Sequence, residues 1–78
     1  MNFVLKDTLT INNFIVKLYH KTNEDIDMSI VNSALVDTVA LDFPNKIIER
    51  LENIAGVSKV EIYNSNSELL INSEKITL

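Results

Sequence analysis

The side chains with reactive potential fall in three places along the chain. His20 stands alone as the only imidazole. Such a group can act as a general base or respond to pH. To catalyse acyl transfer it needs a nucleophile beside it. The chain has no Cys, and no Ser sits in the G-x-S-x-G context of an exposed nucleophile. A histidine at the end of a strand is the reading that remains. Glu24, Asp25 and Asp27 form the second group, and hard divalent cations favour such oxygen ligands. An EF-hand template started at Asp25 accepts Asp27 and Ser29. It then meets Ile30 where Gly is required and Val36 where a bidentate Glu is required. A solvated acidic loop fits better. In the third group, Asp37 interrupts the apolar run from Ala34 to Leu41, and Asp42 precedes Pro44. A charge on an edge strand blocks sheet-to-sheet aggregation, and an Asp ahead of a helix caps its free N–H groups. No catalytic, cofactor-binding or metal-ligating residue is expected from these groups.

Composition narrows the chemistry further. Without Cys there are no disulfides, thiolate zinc sites or iron–sulfur ligands. One Gly cannot build a phosphate-cradling loop. The formal charge is −4, and Lys6, Lys17, Lys21, Lys46, Arg50, Lys59 and Lys75 are dispersed among acids. Nucleic-acid binding requires clustered bases, so it is not expected, and neither is docking to an anionic membrane. No window is apolar for long enough to span a bilayer. The start of the chain has no charged leader or apolar run, so a signal peptide is not expected. The lack of Cys suits a cytoplasmic setting. Ten Asn, ten Ile and a single Gly match an AT-rich genome, such as phages and mobile elements carry.

Seventy-eight residues make one domain, 1–78. Ile47, Ile48, Leu51, Ile54 and Ala55 recur at helical spacing. Asp42 is placed for capping, Pro44 fits the first turn, and Gly56 fits the left-handed stop. A helix over 44–55 follows. Val60 and Ile62 alternate with Lys59, Glu61 and Tyr63, then Asn64-Ser65-Asn66-Ser67 has turn composition, and 68–72 reads as the second strand of a hairpin. Phe14, Val16 and Leu18 alternate with Ile15, Lys17 and Tyr19. Leu9-Thr10-Ile11 precedes them across Asn12-Asn13, a tight-turn pair. Residues 26–43 fit alternation better than a helical stripe and read as strands turning at Asn32-Ser33, with a helix over 26–36 as the alternative. Phe3, Tyr19 and Tyr63 are placed in the core by default.

A single amphipathic helix needs a sheet to cover. The expected fold is therefore α+β: a two-layer sandwich of five to six mainly antiparallel strands with one helix on one face. The segment Ile48-x-x-Leu51-x-x-Ile54-x-Gly56-Val57-x-x-Val60 resembles the helix-to-strand junction of ferredoxin-like regulatory and metal-carrier domains. It is also similar to that of NifU-like iron–sulfur scaffolds. Those metal carriers depend on Cys pairs, which are missing here, so no functional residue carries over.

The expected function is a non-enzymatic protein-interaction module: an adaptor, an assembly factor or an inhibitor of a larger protein. Self-association through a sheet edge is a further expectation. The surfaces singled out are the acidic loop (Glu24, Asp25, Asp27) and the outer helix face (Lys46, Glu49, Arg50, Asn53). The alternative is a ferredoxin-like domain sensing a small molecule between helix and sheet.

Overall fold

A computed structural model describes residues 3–36 and 43–74. Four strands, β1 (Val4–Ile11), β2 (Phe14–His20), β3 (Lys59–Tyr63) and β4 (Leu69–Glu74), form one antiparallel sheet in the order β1-β2-β3-β4. Two helices, α1 (Met28–Ala34) and α2 (Pro44–Leu51), lie in the connection between β2 and β3. The class is α+β as expected, but the count is four strands and two helices among the described residues. Both helices occupy the long connection between the neighbouring antiparallel strands β2 and β3. Among the described residues the order β-β-α-α-β-β differs from the β-α-β-β-α-β of a ferredoxin-like domain.

Period-two patterning sets the strands. In β2, Val16 and Leu18 are fully buried; in β3, Val60 and Ile62 are. The register pairs Val16 with Ile62 and Leu18 with Val60, so these four share one face. That face meets Ile47, Ile48 and Leu51 of α2, Val31 of α1, and Ile26, Ile54 and Val57 of the connections in one apolar cluster. The Asn12-Asn13 turn closes β1 onto β2 through the pair Ile11–Phe14. Asn12 takes a φ of 53°, a conformation Asn tolerates better than most residues. In the β3–β4 turn, the Asn64 side-chain oxygen accepts the N–H groups of Asn66 (2.9 Å) and Glu68 (3.0 Å). Both turns fall where the sequence places them.

The helical segment departs from expectation in two respects. First, residues 28–34 take the helical alternative rather than the strand reading, and Asn32-Ser33 lies inside α1; the part of that strand reading over 37–42 lies outside the described residues. Asp27 caps this helix: its Oδ1 accepts the backbone N–H of Ser29 at 3.0 Å and the Ser29 hydroxyl at 2.6 Å. Val31 of α1 is buried, and Met28 and Ala34, three residues to either side, pack partly buried against the same core. Second, α2 ends at Leu51 rather than Ala55. Beyond it the chain advances by tighter turns, with Ile54 N–H donating to the Leu51 carbonyl and Val57 N–H to that of Ile54. Those turns still direct Ile54 and Val57 into the core. Gly56 then redirects the chain at a φ of 90°. Phe43 is the N-cap of α2 and makes no side-chain cap bond. Asp37 and Asp42 lie outside the described residues.

Candidate functional site

The sheet has a second face, opposite the helices, and the registers define its contents row by row. The first row reads Thr10, Ile15, Tyr63, Leu69 across the four strands. The middle row reads Thr8, Lys17, Glu61, Asn72, and the third contains Leu5, Tyr19 and Lys59. None of the helical core packs on this side. Leu5, Leu69 and Leu70 are each about half exposed. Leu70 is the extra residue where the β3–β4 register shifts.

Glu61 organises the centre. Its Oε1 accepts the hydroxyl of Tyr19 and that of Tyr63 (2.9 Å), and its Oε2 lies 3.4 Å from the Lys59 ammonium. The Lys59 and Glu61 side chains are only 22% and 13% exposed, so neighbouring aliphatic and aromatic groups cover much of this polar core. The Lys59 ammonium also sits 5.2 Å from the Tyr19 ring centre and 5.5 Å from that of Phe3. Lys17 lies 4.8 Å over the Tyr63 ring. A cation over a ring face is attracted by the ring's quadrupole. Together these contacts hold the three aromatic residues in fixed positions.

The electrostatics agree with the geometry. Burial alone would raise the Glu61 carboxyl, but the two phenol hydrogen bonds and the Lys59 charge outweigh it and hold the group below its ordinary value. The Tyr19 phenol is pushed up, first by burial and then by its hydrogen bond to the Glu61 carboxylate and that group's charge. Tyr63 is raised for the same reasons. The network therefore favours an ionised Glu61 and two neutral phenols. Both phenol hydroxyls and the Lys59 ammonium thus converge on one carboxylate at the centre of this face.

The residues singled out from the sequence lie elsewhere. Glu24, Asp25 and Asp27 are exposed in the connection from β2 to α1. Asp27 is occupied as a helix cap, and its carboxyl is lowered by the hydrogen bonds from Ser29. Lys46 and Glu49 form an exposed ion pair at 3.4 Å on α2, with Arg50 and Asn53 also exposed. His20 ends β2 as expected. Its Nδ1 accepts the Thr22 N–H at 3.1 Å, and its ring packs against Gly56. A cleft of about 300 Å³ opens where Lys6 and Asp7, at the β1 bulge, meet Asp25, Ile26 and Met28. Among the described residues no three His, Cys, Asp or Glu side chains come together as a metal site. No helix among them is long and apolar enough to cross a membrane.

Phe3, Tyr19 and Tyr63 are thus not core residues, contrary to the default reading. The signal was present in the alternation: Tyr19 and Lys17 have the opposite parity to Val16 and Leu18, as Tyr63 and Glu61 have to Val60 and Ile62. Comparison with protein families, curated proteins and solved structures yields no match.

Proposed function

We propose that this domain is a non-enzymatic protein-interaction module, an adaptor, assembly factor or inhibitor working in the cytoplasm, and that it docks its partner on the uncovered sheet face. One observation carries this reading: the face opposite the helices presents Tyr19, Tyr63 and Phe3 in fixed positions, flanked by exposed Leu5 and Leu69. Tyrosines held rigid supply contact area at low entropic cost, and aromatic residues are enriched at interface hot spots.

The test is capture of partners by three tagged forms of the protein. Wild type is compared with a sheet-face variant (Leu69→Asp with Leu5→Asp) and a helix-face variant (Lys46→Glu with Arg50→Glu). A partner lost only with the sheet-face variant supports the reading. A partner lost only with the helix-face variant moves the interface to α2.

The cleft beside the β1 bulge favours a second reading, a small-molecule sensor. Lys6, Asp7 and Asp25 converge there, and the cleft's volume is at the lower end for ligand sites. A metabolite that raises the melting temperature of wild type but not of Asp25→Asn would support it.

A further inference from the structure

We propose that the occupant of the open sheet face is a second copy of this chain, packed face to face about a twofold axis that runs along the strands between β2 and β3. The proposal rests on the docking reading above and names the partner. A twofold interface must be self-complementary, with residue i meeting residue j and j meeting i. Rotation about an axis in that position lays β2 of one copy over β3 of the other and keeps each row facing itself. Lys17 then faces the second copy's Glu61, and Glu61 faces its Lys17. Lys59 meets Tyr19 in the same reciprocal way, and Ile15 meets Tyr63. Cation is set against carboxylate, cation against ring, and aliphatic group against ring.

Stacked sheets lie roughly 10 Å apart and cross at about −30°. The middle row sits nearest the centre of that rotation, so the Lys17–Glu61 match survives the twist. Glu61 also has capacity left. A carboxylate accepts about four hydrogen bonds, and two phenols and Lys59 occupy three of the positions. Area agrees as well. A standard interface takes roughly 800 Å² from each partner. That is about one sixth of the 4886 Å² accessible surface, the share of one side of a block-like molecule.

The test is a charge exchange followed by sedimentation or light scattering from micromolar to millimolar protein, with circular dichroism confirming the fold. Wild type is expected to dimerise. Lys17→Glu alone and Glu61→Lys alone place like charges opposite one another, and each should raise the dimer Kd about tenfold or more. Mixing the two variants should restore a dimer, because each then supplies the charge that the other lacks. Leu69→Lys, on an exposed side chain, should weaken the dimer less. A wild type that stays monomeric at millimolar concentration overturns the proposal, as does a dimer indifferent to both reversals or a mixture that stays monomeric. If Glu61→Lys fails to fold, Lys17→Glu still decides, since a dimer it leaves intact overturns the proposal. A monomeric wild type whose partner capture is lost with the sheet-face variant would remove the second copy and leave the docking reading standing.

Discussion

The two faces of the sheet solve opposite problems with the same four strands. On the helix side, Val16, Leu18, Val60 and Ile62 are aliphatic, fully buried and free of polar atoms. Their contribution is removal of apolar surface from water, about 1.5–3 kcal/mol for each fully buried side chain. On the other side, Lys17, Tyr19, Lys59, Glu61 and Tyr63 are partly buried, and their polar groups and rings meet within the face. The contrast separates two kinds of order. The first face holds the fold together. The second keeps a surface rigid at little net energy, as expected of charge pairs and hydrogen bonds that exchange with water.

Substitutions can break this contrast, and their effects should fall in a definite order. Leu51→Ala, on the helix side, should cost about 2–5 kcal/mol by leaving a cavity, read as a lower urea midpoint at unchanged slope. Gly56→Ala should follow at about 1–2 kcal/mol. The left-handed backbone penalises a side chain, and the new Cβ would lie 3.4 Å from His20 Cδ2. On the open face, Glu61→Gln should cost only about 1 kcal/mol, and its signature is in pH.

The Glu61 carboxyl is held below its ordinary value of 4.5. The stability it adds is therefore complete above that pH and is lost as pH falls through the lowered folded value. Wild type should lose stability faster than Glu61→Gln below about pH 4.5. The Tyr19 phenol is raised above 10.0, so its contribution is complete below pH 10 and fades as pH rises through the folded value. Absorbance titration should show its phenolate appearing later than that of a free tyrosine. Smallest of all, Lys46→Ala should change stability by less than about 0.5 kcal/mol, because its pair with Glu49 lies exposed on the surface.

How far the sequence foretells this contrast depends on the distance over which each signal acts. The β2 and β3 strands and both turns were legible because alternation and turn chemistry are local. Helix α1 was harder to read, since Met28, Val31 and Ala34 turn inward over only two turns while Ile30 stays about half exposed. The clearer clue lay in the cap, Asp27 followed by Ser29. The open face was half legible. Parity in the strands separates Tyr19 from Leu18, but bringing Tyr19 and Tyr63 onto one carboxylate requires the β2–β3 register, which no local pattern encodes. For the same reason, attention to surface charge favoured the acidic loop and α2, where Asp27 caps α1 and Lys46 pairs with Glu49.

Placing both helices in the single β2–β3 connection also bears on how the chain folds. The β1–β2 and β3–β4 hairpins close through short turns, and isolated hairpins form within about 1–10 μs. The β2–β3 ladder is different: Tyr19 must find Lys59 across the whole helical connection, and such distant contacts are the slow part of folding. Two preformed ribbons should therefore wait on one long-range docking event. Changes in this connection that loosen α2 should slow that event and leave the hairpins intact.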